Sequence, residues 1–167
     1  GVIASAPSSA YRVPEAVMAA LEKGLIAWAG EYPKNTLFVA DALWIMPQVE
    51  NKHLALLLLS IQPEESLKKV LWRVNRWLLE DNESNVQREL VVLACAGFLR
   101  GDAGTFLAQV ERWLRHKNKN FQKAGLVGLA ALSQHLHMRD NPQLLDILQN
   151  RLEQAGLEQQ ALLYEIL

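Results

Sequence analysis

Val74-Asn75-Arg76-Trp77-Leu78 recurs as Val110-Glu111-Arg112-Trp113-Leu114, 36 residues further along the chain. A short polar turn follows each copy. Asn85-Val86-Gln87-Arg88 is then echoed, 35 residues on, by Asn120-Phe121-Gln122-Lys123. A weaker third copy places Trp44 ahead of Asn51-Lys52-His53 and the run Leu54-Ala55-Leu56-Leu57. A two-helix unit returning at this period marks an array of the HEAT or armadillo type. One helix pair cannot bury both of its apolar faces, so neighbouring pairs must stack.

The hydrophobic pattern agrees. Helical spacing runs through the chain, and nothing alternates with period two over a useful length. A first helix is expected from Pro14 to Gly30, a second capped by Thr36 and ending before Pro47, and a third from about Asn51 to Ser60. Pro63, with Glu64 and Glu65 behind it, opens a fourth whose stripe is Leu67, Val70, Leu71, Val74, Trp77 and Leu78. Ser84 and Gln87 have capping-box spacing and start a fifth helix that runs to Gly101. Asp102 caps a sixth, with Phe106, Leu107, Val110, Trp113 and Leu114 inward. A seventh begins near Asn120 and carries Phe121, Leu129, Leu132 and Leu136. Asn141-Pro142 opens an eighth that Gly156 closes, and a ninth starts near Glu158. Short connections make successive helices antiparallel. The expected architecture is an all-α superhelix, a HEAT-like solenoid of about four stacked helix pairs. It occupies residues 13–167 as a single domain, behind a tail of residues 1–12.

Composition removes several classes of function. Half of the 167 residues are hydrophobic and the net charge is −1, so nucleic-acid binding would need a local basic patch. The single cysteine, Cys95, excludes an internal disulfide framework, fits a reducing cytoplasm, and in Val91-Val92-Leu93-Ala94-Cys95-Ala96 reads as a buried hydrophobe. The longest apolar run, Leu54 to Leu59, is far shorter than the ~20 residues of a membrane span, and Gly1 to Ala10 lack the basic start of a signal peptide. There is no nucleophile elbow, and Gly97, Gly101 and Gly104 are not followed by the lysine of a phosphate loop. His135 and His137 point apart on a helix, while His53 and His116 read as turn residues of different repeats, so no metal and no cofactor is expected.

Positive charge is concentrated. Arg112, Arg115, Lys117, Lys119 and Lys123, with His116, occupy a stretch without a single acid. Lys68, Lys69, Arg73, Arg76 and Arg88 lie one repeat earlier. Stacked repeats would set Arg76 beside Arg112 and Arg88 beside Lys123, two ladders able to meet successive phosphates. Trp77 and Trp113 fall on apolar stripes and read as core, whereas Trp72 lies off its stripe and reads as more exposed. Asp81, in Glu80-Asp81-Asn82-Glu83, reads first as part of a polar turn. Two partners remain open on these grounds: duplex DNA on a basic concave face, or a protein or peptide in the groove of a scaffold.

The sequence also resembles the HEAT-like DNA alkylation-repair proteins, the AlkD-type alkylpurine DNA glycosylases. The likeness lies in Tyr11-Arg12-Val13-Pro14-Glu15, in Ala42-Leu43-Trp44 followed by Asn51 to Leu58, in the Trp77-x-x-x-Asp81 spacing, and in Asn120-Phe121-Gln122-Lys123-Ala124. The resemblance implies duplex DNA held by Arg76, Arg88, Arg112, Arg115, Lys119 and Lys123. It also implies removal of alkylated bases, with Asp81 favouring positive charge on the sugar and Trp77 bordering the nucleotide. The chain departs from the family in having no Trp after Trp113, in carrying Lys123 where the family has Arg, and in an expected array about two helices shorter. A truncated or degenerate member is therefore expected.

Overall fold

Prolines and short polar turns interrupt the apolar stripes at nearly the expected places. In the computed structural model, residues 11–81, 83–101 and 103–135 are described, together with 146, 149 and 150. Every element among them is helical: α1 (Glu15–Glu31), α2 (Thr36–Trp44), α3 (Val49–Ser60), a 3-10 turn (Glu64–Ser66), α4 (Leu67–Glu80), α5 (Ser84–Ala94), α6 (Ala96–Gly101), α7 (Ala103–Leu114) and α8 (Lys119–His135). They fall into two compact units, Gly1–Gly97 and Phe98–Leu167. The expected cap at Asp102, Leu136, and the expected eighth and ninth helices lie outside the described residues, apart from the helical positions 146, 149 and 150.

In the first unit α2 packs on α3 and α4 on α5, and the second helices of these pairs, α3 and α5, pack on each other. Side chains one repeat apart consequently become neighbours. Arg73 meets Asp41, 32 residues away; Trp44 meets Glu80, and His53 meets Glu89, each 36 away. Val70, Val74, Trp77 and Leu78 are fully buried on the inner face of α4, while Leu56, Leu58 and Leu59 of α3 and Leu90 of α5 complete the core. A buried aliphatic or aromatic side chain of this kind stabilises by roughly 1.5–3 kcal/mol. The segment before α1 is tied down as well. Tyr11 and Arg12 donate their main-chain N–H groups to the Glu50 carboxylate at 3.0 and 2.9 Å, with Arg12 in the left-handed region at φ 56°. These main-chain donors, its own first and then that of Tyr11, hold the Glu50 carboxyl below its usual value.

In the second unit α7 packs along α8. Phe98 stacks on Phe106 at 6.1 Å, and Phe106 meets Trp113 edge-on at 6.2 Å. Phe106, Val110, Trp113 and Leu114 of α7 face Phe121, Leu129 and Leu132 of α8, all buried as their spacing predicts. The helices touch at Gly125, where a Cβ would lie 2.7 Å from the Leu114 side chain and 2.9 Å from its backbone nitrogen. Only glycine permits that approach.

Several helix ends differ from expectation. Thr36 is the first residue of α2 rather than its cap, and its hydroxyl donates to the Tyr32 carbonyl at 3.3 Å. The third helix begins at Val49, and Pro63 opens a 3-10 turn before α4 starts at Leu67. The fifth helix does not continue to Gly101. It breaks at Cys95, in the small-residue run Ala94-Cys95-Ala96-Gly97, where Gly97 sits so close to Leu67 that a Cβ would lie 2.9 Å from its side chain. No capping box forms at Ser84, because Gln87 donates instead to the Asp81 carbonyl at 2.6 Å. Cys95 itself is buried, and burial pushes its thiol up, out of nucleophilic range, as the apolar run predicts.

Candidate nucleic-acid interface

The end of α4 brings Trp77 and Asp81 together, with the Asp81 N–H on the Trp77 carbonyl at 3.1 Å. The Trp77 indole is wholly buried and stacks on Trp44 of the preceding pair, centroids 4.3 Å apart and planes 4° from parallel. Trp44 donates its indole N–H to Glu80 at 3.1 Å. The corresponding nitrogen of Trp77 has no partner among the described residues.

Asp81 is 6% exposed. One carboxylate oxygen pairs with Lys52 of α3, whose ammonium also lies 5.6 Å from the centre of the Trp44 ring. The other accepts the Glu83 N–H at 2.8 Å. Asp81 thus closes the turn between α4 and α5 on itself and ties it to α3. In this arrangement its charge is already compensated, and Trp77 presents no open face to a nucleotide. Sequence reasoning missed Lys52, because its partner stands 29 residues away, just past the end of α4.

Histidine 53 also differs from its reading as a turn residue. It lies within α3, and its two ring nitrogens face Glu22 of α1, at 2.9 Å, and Glu89 of α5. The Glu89 hydrogen bond is the main influence raising its pKa above 6.5; partial burial works against it, and the charges of Glu89 and Glu22 add to the rise. The one-repeat spacing of His53 and Glu89 was the available signal. No group of three or more His, Cys, Asp or Glu among the described residues could hold a metal.

The basic residues divide between the units. In the first, Arg76 is half-exposed and bonds Glu80 at 2.7 Å, and Arg88 is exposed on α5. In the second, Arg112 lies in the last turn of α7, Arg115 just beyond it, Lys119 at the start of α8 and Lys123 one turn later, all exposed. The connection between α7 and α8 is firmly built. Asn118 accepts the Asn120 N–H at 2.8 Å, Gln122 donates to the His116 carbonyl at 2.8 Å, and the His116 ring packs 4.4 Å from Phe121. Arg115 makes a 3.4 Å contact with Glu111, whereas Arg112, Lys117, Lys119 and Lys123 have no ion-pair partner among the described residues. The N-terminal end of α8 adds its positive dipole to the same place.

Helix pairs packed in succession, with residues one repeat apart in contact, define an all-α helical-repeat protein. The chain belongs to the DNA alkylation repair enzyme family, whose profile matches residues 13–157. No curated protein and no solved structure matches it. Among the described residues no helix is long and apolar enough to cross a membrane.

Proposed function

We propose that the protein acts in alkylation repair by binding duplex DNA through its backbone, with Arg76, Arg88, Arg112, Arg115, Lys119 and Lys123 contacting phosphates. One observation carries this reading. From residue 112 to 123 the chain places five exposed cations, without an acid among them, around a hydrogen-bonded turn and a helix N-terminus. Family membership supports DNA as the class of partner. Backbone contacts of this kind would be indifferent to sequence and strongly sensitive to salt. The test is fluorescence anisotropy with a labelled duplex at low salt. Binding that weakens as salt rises is expected; a flat titration would end the proposal.

Base excision is the finer part of the reading. It rests on Trp77 and Asp81 sharing one helical turn, where the carboxylate would favour positive charge developing on the deoxyribose as the glycosidic bond breaks. It also requires Lys52 to leave Asp81 and the covered Trp77 ring to open. Binding is therefore the function that the geometry supports best. Release of an N-alkylated purine that disappears in Asp81→Asn would establish excision, and an unchanged rate would remove Asp81 from it.

A further inference from the structure

Trp72 sits where a core residue has no business. The apolar stripe of α4 is complete without it, since Leu67, Val70, Val74, Trp77 and Leu78 are all buried on the opposite side. Trp72 instead projects from the outer face, 57% exposed. Its surroundings are ordered. The guanidinium carbons of Arg73 and Arg76 lie 5.7 and 5.5 Å from the centre of its ring. Each guanidinium is itself anchored: Arg73 by both carboxylate oxygens of Asp41, at 3.0 and 2.7 Å, and Arg76 by Glu80 at 2.7 Å. Lys68 and Lys69, four and three residues earlier, share this helix face, are exposed, and have no carboxylate partner among the described residues.

We infer that this face of α4 is a second nucleic-acid site, one that takes a single unpaired base of single-stranded DNA on the Trp72 platform, with its flanking phosphates on Lys68 and Lys69. The inference shares with the proposed function the class of partner and one bordering residue, Arg76; Trp72, Lys68 and Lys69 and the form of DNA are its own. Three features select the ligand. The indole, 57% exposed, leaves apolar ring surface beside the two guanidiniums, which a base can cover and an aliphatic or carboxylate side chain cannot use as well. Asp41 and Glu80 offset the two arginines, so the uncompensated charge is that of the two lysines, enough for the phosphates on either side of one nucleotide. Glu64 and Glu65, exposed just before α4, end the cationic strip on that side. Finally, the faces of paired bases are hidden in the stack of a duplex, so an exposed indole can stack only on a base that is already unpaired. Because Asp41 and Glu80 hold the arginines against the ring beforehand, little order is lost on binding.

The experiment titrates labelled oligothymidylate, about ten nucleotides long, and a labelled duplex against the intact chain and its variants. Trp72→Ala should weaken oligothymidylate binding about 5- to 150-fold, the range that one base–aromatic stack supplies, and leave duplex affinity within about twofold. Trp72→Phe should recover most of the loss. Lys68→Ala with Lys69→Ala should lower the salt slope for the oligonucleotide by about 1.4, at roughly 0.7 per phosphate of a single strand. Arg112→Ala with Lys123→Ala should do the reverse, weakening the duplex and sparing oligothymidylate, so failure of either reading can be told from failure of the other. The exposed position of Trp72 leaves the fold intact, which circular dichroism of the variant checks. Unchanged oligothymidylate binding in Trp72→Ala would overturn the inference. So would an equal loss for duplex, or competition by polyglutamate as effective as by the oligonucleotide.

Discussion

Two substitutions at Trp77 separate what its ring contributes by packing from what its N–H costs. The indole is fully buried, lies flat against Trp44 at 4.3 Å, and carries a nitrogen without a partner among the described residues. Truncation in Trp77→Ala removes the whole ring and leaves a cavity between two helix pairs, which costs about 3–5 kcal/mol. The stack on Trp44 should appear in a double-mutant cycle as a coupling of about 0.5–1.5 kcal/mol. Trp77→Phe keeps a ring against Trp44 but deletes the orphaned donor, whose burial costs about 1–3 kcal/mol. That relief offsets most of the lost ring volume, so Trp77→Phe should fall within about 1 kcal/mol of the parent. Urea unfolding followed by circular dichroism reads both variants, with an unchanged slope confirming that only stability has moved. If Trp77→Phe cost as much as Trp77→Ala, the donor would be satisfied and this account of the stack wrong. A loss below about 1 kcal/mol in Trp77→Ala would show that the ring is not core at all.

Two further outcomes follow from named contacts. The raised pKa of His53, held between Glu89 and Glu22, means that the folded state binds its proton more tightly than the unfolded chain does. The stabilisation is fully present below pH 6.5 and is lost as pH rises through the higher folded value. Melting temperatures across that range should therefore decline in the parent and flatten in His53→Gln, and parallel curves would refute the bridge. Gly125→Ala should destabilise the second unit by roughly 1–3 kcal/mol, because the added methyl meets the Leu114 backbone as well as its side chain; a neutral or stabilising result in thermal unfolding would show that α7 and α8 lie further apart.

The fold was largely legible because a repeated unit leaves repeated residues. Val74, Trp77 and Leu78 are buried in one unit, and Val110, Trp113 and Leu114 in the other, with Arg76 and Arg112 facing outward between them. A shared period was enough to predict this, and Trp72 was flagged as exposed because it broke the stripe. What escaped were interactions that depend on a third helix or on local backbone geometry. Asp81 looked like a free turn residue until Lys52 of α3 came to rest on it. His53 reads as a turn residue in the sequence, yet it lies within α3, which begins at Val49. The break at Cys95 leaves no Pro or Asn to announce it, only a run of small residues in which Gly97 lies close against Leu67. Gly125 gave no warning either, because a glycine inside a helix pattern does not reveal how near the next helix lies.

Salt dependence of duplex binding tests the functional account most directly. Each phosphate neutralised on duplex DNA contributes about 0.9 to the slope of log affinity against log salt. The triple variant Arg112→Ala, Lys119→Ala, Lys123→Ala should therefore bind duplex with a slope shallower by about 2 to 3, its helical content unchanged. A slope identical to that of the parent chain would place the DNA elsewhere and contradict the assignment of the α7–α8 turn.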